Sequence, residues 1–284
     1  TVSDFTNNVW FLENHFYNIA EHAARVGGAS PNTSLPEDCH HIYFGKNTVH
    51  NTRHSGLWVK YAQDVIFSQN HIYDIVENPA YEDRACMGAQ YGPRRFWMLN
   101  NILHGATGGI SVVGDDSRVY PLPVYAIGNL IYDIHDPDGS TSSSYSMAGI
   151  QMRGGTEKYI INNTIYNVDA GIYSAPSSES FSIVNNIIAN IMLADGWHIN
   201  IENTGDSVAK NNLFYQSSGS VRIRWGSSEY TTISEFNSSA NGQENIEGDP
   251  LFVDAGNNNY MLQSISPAIG KGIAYGVFQT FQDL

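Results

Sequence analysis

The sequence has little charge, and little of that charge is basic. Charged residues make up 15% of the 284-residue chain, and 14 Lys+Arg against 28 Asp+Glu leave a formal net charge of −14. Duplex nucleic acid and anionic membranes attract basic surfaces, so we expect neither as a partner. No run of 18 apolar residues is present, so we expect no membrane-spanning helix. The composition is compatible with an extracellular, salt-tolerant or calcium-binding protein.

Cysteine is also scarce, since Cys39 and Cys86 are the only two. They lie at different places in the repeat described below. A disulfide between them is one interpretation, and two buried small side chains is the favoured one. No signal peptide precedes the strand-like sequence after Thr1, which is typical of a mature or trimmed chain. A solenoid needs a cap over the end of its core, and nothing before Val9 is long enough to form one, so a continuation of the natural protein upstream of Thr1 is one interpretation.

Helical periodicity is missing too, because no segment holds a 3.6-residue period for ten or more residues. What recurs is a short unit in which an apolar run leads to an asparagine and then to an apolar pair, as in 65–74 and 159–167. The runs are short and rich in Ile, Val, Tyr and Phe, which predicts strands. With the units in register, one asparagine per unit aligns: Asn14, Asn47, Asn70, Asn101, Asn129, Asn163, Asn186 and Asn212.

This repeat of about 23 residues, with insertions of variable length, predicts a solenoid. One unit cannot bury its own apolar face, so each unit must stack on its neighbours. An asparagine at a fixed place in every unit can hydrogen-bond the asparagines above and below it. The pattern therefore predicts an asparagine ladder that satisfies buried amides.

Over roughly residues 8–216, the repeat resembles the right-handed parallel β-helix superfamily, which includes pectate-lyase-like and polygalacturonase-like proteins. The resemblance implies an all-β, single-stranded right-handed parallel β-helix of about eight coils. The strand before the asparagine would be the second of a coil, and the Gly-Ile strand that follows would open the next coil. The closing segments 248–254 and 266–272 look like the terminal segment of secreted bacterial β-helix proteins. We expect one domain over 1–284, with coils in 1–225 and a lateral capping segment in 226–284.

Alternation along the opening strands of the coils predicts one shared outer face. Trp and Tyr stack on sugar rings and Arg pairs with carboxylate or sulfate, so this face is a candidate carbohydrate groove. The alternative is a set of ordinary solvated strand residues. The loops 77–84, 114–118 and 133–146 project beside it. The predicted outward residues are Arg25, Trp58, Lys60, Gln90, Ser111, Gln151, Arg153, Tyr173, His198 and Asn200.

The resemblance implies carbohydrate-active enzymes, and a polysaccharide lyase needs a base and a cation near the uronate carboxylate. Lys60 is the candidate base, and Arg84 and Arg153 are the candidates that neutralise the carboxylate. His54 and His104 are candidate acids or bases, and His198 falls near the same face. The alternatives are a solvated lysine and turn histidines bonded to backbone.

Asp133, Asp136 and Asp138 offer hard oxygen ligands on one turn, which suits Ca²⁺. An ordinary Asp-Pro-Asp-Gly turn is the alternative. Asp115 and Asp116 follow a strand as the paired aspartates of inverting hydrolases do, but adjacent strand residues point to opposite faces.

We therefore expect a secreted protein that acts as a lyase on an acidic, uronate-containing polysaccharide. One alternative is a non-catalytic adhesion, structural or carbohydrate-binding segment that self-associates end to end or laterally. A further alternative is an inverting glycoside hydrolase.

Overall fold

The computed structural model describes residues 2–3, 6–27, 39–75, 85–91, 94–113, 123–136, 148–153, 157–174, 180–202 and 204–276. Its first strands are Val2–Ser3 (β1), Asn7–Leu12 (β2), His15–Ile19 (β3), Ala24–Gly27 (β4), Cys39–Gly45 (β5), Thr48–Thr52 (β6), Leu57–Lys60 (β7), Ala62–Ser68 (β8), His71–Ile75 (β9) and Ala85–Gln90 (β10). The middle of the chain forms Arg94–Leu99 (β11), Ile102–Ala106 (β12), Gly108–Val113 (β13), Val124–Ile127 (β14), Leu130–Ile134 (β15), Ala148–Met152 (β16), Glu157–Ile161 (β17), Thr164–Val168 (β18), Ala170–Ser174 (β19) and Ser180–Val184 (β20).

The remaining elements include one short α-helix and one 3₁₀ turn. They are Ile187–Ile191 (β21), Ile199–Ile201 (β22), Val208–Lys210 (β23), Leu213–Tyr215 (β24), Ile223–Trp225 (β25), Ser228–Tyr230 (β26), Ile233–Asn237 (α1), Gly242–Gln243 (β27), Ile246–Glu247 (β28), Phe252–Asp254 (β29), the 3₁₀ turn Ala255–Asn257, and Asn259–Leu262 (β30). Within the described ranges, no helix is long and apolar enough to cross a membrane.

Successive strands enter three different sheets in turn, so each strand pairs with the strand one turn away along the chain. Sheet A has the order β1-β4-β7-β10-β13-β16-β19-β22-β25-β26, sheet B runs from β2 through β5 and β8 to β27, and sheet C runs from β3 through β6 and β9 to β28. The pairings are parallel, except that β26 closes sheet A antiparallel to β25. This arrangement confirms the predicted all-β parallel solenoid.

The core is the space that the three sheets enclose. Strand alternation sends one set of apolar side chains inward, and neighbouring coils align them in register. Phe11, Phe44, Phe67 and Phe96 form one such interior row, with ring centroids 4.5, 5.4 and 5.1 Å apart. Sheet A contributes a second row of fully buried side chains: Leu57, Met87, Ile110, Ile150, Ile172, Ile199 and Ile223.

Asparagines follow one another along the turn between sheets B and C, from Asn14 to Asn245. From Asn14 to Asn212, each side-chain Nδ2 donates to the Oδ1 of the asparagine in the next coil, at 2.9–3.0 Å. The residue before each asparagine has φ between +50° and +70°, which closes the turn in the left-handed region. These preceding residues are Glu13, Lys46, Gln69, Asn100, Gly128, Asn162, Asn185, Asn211 and Glu244.

The solenoid extends further than residue 225, because β27 and β28 still pair with sheets B and C. Beyond them the chain lies along the side of the solenoid. The hairpin of β29 and β30 places Tyr260 against Tyr132 and Tyr166 of sheet C, with centroids 4.9 and 5.4 Å apart. Further on, Tyr275 donates a hydrogen bond of 2.8 Å to Ser182 Oγ of sheet B.

Neither cysteine forms a disulfide and both are buried, which confirms the favoured interpretation of these residues. The Cys39 thiol donates to the carbonyl of Gly27 at 3.3 Å, and the Cys86 thiol donates to the carbonyl of Ile72 at 3.6 Å. Complete burial strongly raises the pKa of the Cys86 thiol, so this side chain is an inert core residue.

Candidate functional site on the outer face of sheet A

The outer face of sheet A carries a row of side chains that lie in register from coil to coil. Their neighbours along each strand point inward and are buried, so alternation fixes the outward direction of this row. The row consists of Arg25, Trp58, Gly88, Ser111, Gln151, Tyr173, Asn200 and Arg224. We call it the sheet A row.

Three side chains of the sheet A row are buried although they point away from the core. Trp58, Ser111 and Gln151 are each 1% exposed. Ser111 Oγ donates to Gln151 Oε1 at 2.9 Å, which uses one end of the Gln151 amide. Within the described part of the chain, the other end, Nε2, has no hydrogen-bond partner. A buried amide donor without a partner is costly and therefore calls for an explanation.

Gln151 Nε2 is one of several buried polar atoms of the sheet A row that lack a partner within the described ranges. The indole Nε1 of Trp58, Oδ1 of Asn200 and Nε of Arg224 are buried without a hydrogen-bond partner among the described residues. A polar ligand lying on sheet A would provide partners for such atoms.

Gly88 leaves the space that the Trp58 ring occupies. A Cβ at residue 88 would fall 2.7 Å from the Trp58 ring and 1.9 Å from the backbone oxygen of Ser111. The Trp58 indole occupies the space beside β10 that a side chain at residue 88 would fill. Trp58 is therefore buried, although its outward position in the strand predicts exposure to solvent.

Lys60, Gln90 and Arg153 form a second row beside the first, and all three are partly exposed. The Lys60 Nζ lies over the ring of Tyr91, 5.2 Å from its centroid. Three strand spacings separate Lys60 from Arg153, which corresponds to about 14 Å. The two residues therefore share a face, but they do not meet at one reacting group.

A histidine cluster lies at the amino-terminal end of the sheet A row. The rings of His22 and His54 stack with centroids 4.0 Å apart, and His22 also stacks on Trp58 at 5.6 Å. Glu21 Oε2 lies 3.5 Å from His54 Nδ1. Burial lowers the pKa of His22 to about 3, and the nearby charges of His54, Lys60 and Arg25 act in the same direction. His22 is thus neutral at physiological pH.

Sequence reasoning missed His22, although a signal was present. His22 comes two residues before β4 and His54 three residues before β7, so both occupy the turn that leads into sheet A. Together with Lys60 and Arg25, this turn brings acid–base and cationic groups to one end of the face.

His104 does not belong to this face, contrary to the prediction. It lies in β12 of sheet C, between the rings of Tyr73 and Tyr132, at centroid distances of 5.2 and 4.5 Å. Burial lowers the pKa of His104, and neighbouring His71 lowers it further.

The predicted outward direction of His198 is also wrong. Strand β22 begins only at Ile199, so strand alternation does not reach His198, which is 1% exposed. Its ring donates from Nε2 to the carbonyl of Tyr215 at 3.1 Å and accepts at Nδ1 from the backbone N–H of Arg222 at 3.2 Å. Burial lowers the pKa of His198 to about 4, and its role is that of a satisfied interior side chain.

The proposed calcium ligands are only partly described. Asp133 has φ of 51°, and its carboxylate accepts a hydrogen bond from Asn167, while the backbone N–H of Asp136 donates to Asp169. Asp138 lies outside the described residues, as do Arg84 and the pair Asp115 and Asp116. Within the described ranges, no group of three His, Cys, Asp or Glu side chains is placed to hold a metal ion. The calcium site stays a prediction.

Asp133 occupies a position that repeats on sheet C. In the first seven coils, the fourth residue after the asparagine has a positive φ of 50–61°, which suits Asn, Asp and Gly. The equivalent residues are Asn18, Asn51, Asp74, Gly105, Asn167 and Asn190. The residue type of Asp133 is therefore explained by its backbone conformation.

The fold and this face define a parallel β-solenoid with a polar, aromatic and partly basic outer sheet. The chain is similar to the uncharacterized protein YwoF of Bacillus subtilis (strain 168), with 26% identity over 180 residues. The match covers 60% of this chain and 37% of YwoF, so the chain spans well under two thirds of that relative. No protein-family model and no solved structure matches the chain.

Proposed function

We propose that this chain is a secreted right-handed parallel β-helix of about eight coils that acts on an acidic polysaccharide along sheet A. The observation that carries the proposal is the set of buried outward polar atoms without partners, above all Gln151 Nε2. Sugar hydroxyls donate and accept hydrogen bonds and uronate carboxylates accept them, so a polysaccharide is a fitting ligand.

Charge supports an acidic substrate. The chain carries a formal net charge of −14, yet Arg25, Lys60, Arg153 and Arg224 all lie on sheet A or at its edge. Arginine pairs with carboxylates in a bidentate manner, and a local basic strip favours a polyanion over a neutral glycan.

The reaction we propose is β-elimination at the end of the face that carries the histidine cluster. Neutral Lys60 would remove the proton α to a uronate carboxylate, the electron pair would form the C=C bond, and the glycosidic oxygen would leave with a proton from an acid. Arg25, which lies near Lys60, takes the carboxylate-neutralising role better than Arg153, which is about 14 Å away. Arg153 would bind a uronate several sugars along the chain.

The test is digestion of a panel of uronate polymers while absorbance is followed near ~235 nm, where the conjugated product absorbs. Lys60→Ala should abolish the signal, whereas Lys271→Ala, a distant lysine on the carboxyl-terminal segment, should retain it. Activity of Lys60→Ala at the wild-type rate would refute the role of Lys60.

A second function is a non-catalytic carbohydrate-binding segment, and the separation of Lys60 from Arg153 favours it. Residues spread along the solenoid axis suit binding of an extended glycan better than one reacting centre. Uronate oligomers that bind wild-type protein without any increase in absorbance would support this function and exclude the lyase.

A further inference from the structure

Two histidine pairs lie on the outer face of sheet C, away from the sheet A row. His15 and His50 approach with their Nε2 atoms 2.7 Å apart, and His71 and His104 with theirs 3.0 Å apart. In each pair, one histidine directly follows the asparagine at the turn between sheets B and C. The other histidine lies three residues after the equivalent asparagine of the next coil. The second pair therefore has the same arrangement as the first pair and lies two coils further along the solenoid axis.

Aromatic stacking holds these imidazoles in place. The His50 ring packs between Tyr17 and Tyr73 at centroid distances of 5.8 and 5.0 Å. The His104 ring packs between Tyr73 and Tyr132 with planes within 4° and 11° of parallel. Because stacking already restricts the rings, a ligand that joins two of them loses little additional conformational entropy.

The distances suit two ligands of one metal ion. Imidazole nitrogens bind divalent zinc at about 2.0–2.1 Å, so ligands at right angles are about 2.9 Å apart and tetrahedral ligands about 3.4 Å. The observed 2.7 and 3.0 Å match the right-angled case, which is the geometry of square-planar or octahedral Cu²⁺ and Ni²⁺ sites.

We propose that each pair, His15 with His50 and His71 with His104, binds one divalent late first-row metal ion through its two Nε2 atoms. No third His, Cys, Asp or Glu among the described residues completes either site, so water fills the remaining positions. The site is independent of the polysaccharide function proposed for sheet A.

The test is isothermal titration calorimetry of the full chain with Ni²⁺ and with Cu²⁺. Mg²⁺ is the comparison ion, because it prefers oxygen ligands to imidazole. His71→Thr and His104→Tyr are matched variants, because Thr48 and Tyr132 occupy the equivalent positions in other coils. Each should lower the stoichiometry by one ion, and His15→Thr combined with His71→Thr should lower it by two.

Tyr166→Phe is the control, since Tyr166 occupies the same position of sheet C two strands beyond His104, belongs to neither pair and should keep the wild-type stoichiometry. Circular dichroism of every variant shows whether the solenoid is folded. An unchanged stoichiometry in folded His71→Thr would overturn the proposal, because the two imidazoles would then form only a hydrogen bond with each other. Equal binding of Mg²⁺ at the same positions would overturn it as well.

Discussion

Two buried amides in this solenoid have opposite surroundings, and replacing each of them tests whether the sheet A row binds a ligand. Asn129 has both ends of its amide satisfied. Its Nδ2 donates to Met98 O and Asn163 Oδ1 at 2.9 Å, and its Oδ1 accepts from N and Nδ2 of Asn101 at 3.0 and 2.9 Å. Gln151 accepts one hydrogen bond from Ser111 and has no partner for Nε2 within the described part.

The expected free energies of unfolding follow from these contacts. Asn129→Leu removes four hydrogen bonds worth about 1 kcal/mol each, so it should destabilise the protein by about 4 kcal/mol. Gln151→Met removes one such bond and leaves the Ser111 hydroxyl unpaired, which together cost about 2 kcal/mol. It also removes the cost of burying Nε2, about 1–3 kcal/mol, so the variant should stay within about 1 kcal/mol of wild type.

Urea denaturation followed by circular dichroism measures both variants under the same conditions. If the Nε2 group serves a ligand, Gln151→Met should also weaken the binding of uronate oligomers about tenfold, as expected for the loss of about 1.4 kcal/mol. A destabilisation by Gln151→Met as large as that of Asn129→Leu would show that its amide is a structural element. The reasoning that identifies the sheet A row as a binding face would then be refuted.

The remaining predictions concern burial. The pKa of His198 is about 4 in the folded chain, against an ordinary value of 6.5. Between these two pH values the unfolded chain therefore binds more protons than the folded chain. The free energy of unfolding should fall by about 3 kcal/mol as the pH drops from 6.5 to 4. His198→Gln should remove this part of the acid sensitivity in urea titrations at several pH values, and an unchanged pH slope would contradict it. Gly88→Ala should cost about 1–3 kcal/mol and displace Trp58, whose fluorescence should change, because the new methyl group has no space. Gly256→Ala is its control, since the nearest atom to a Cβ there is 3.7 Å away, and equal losses in the two variants would contradict the steric argument.

Much of the architecture was predictable because the solenoid repeats one local pattern. The asparagine at a turn and the strand on each side recur with enough regularity to place the strands of three sheets. Asn245 escaped detection because a helix and an antiparallel strand separate it from Asn212, and strands β27 and β28 are only two residues long. A two-residue strand carries no alternation that could be recognised in the sequence.

The sequence predicted which face of the solenoid carries the candidate site residues, but it did not predict how deeply these side chains are buried. Alternation correctly placed Trp58 and Gln151 on the outer face of sheet A, yet both are buried. Burial of Trp58 depends on Gly88, which lies 30 residues further along the chain and beside it only in the folded solenoid. His198 was misplaced for another reason, since the strand pattern was extended by one residue beyond the start of β22.

Polar side chains have different roles in the interior, on sheet C and on sheet A, and the sequence alone did not distinguish these roles. Inside the solenoid, the side chains of the asparagine row and of His198 are hydrogen-bonded and stabilise the fold. On the outer face of sheet C, histidines meet in pairs and are held by tyrosine rings. The sheet A row carries buried polar atoms without a hydrogen-bond partner among the described residues, on Trp58, Gln151, Asn200 and Arg224. A stable protein keeps unpaired buried groups mainly where a ligand completes them, so sheet A is the face on which substrate binding should be sought first.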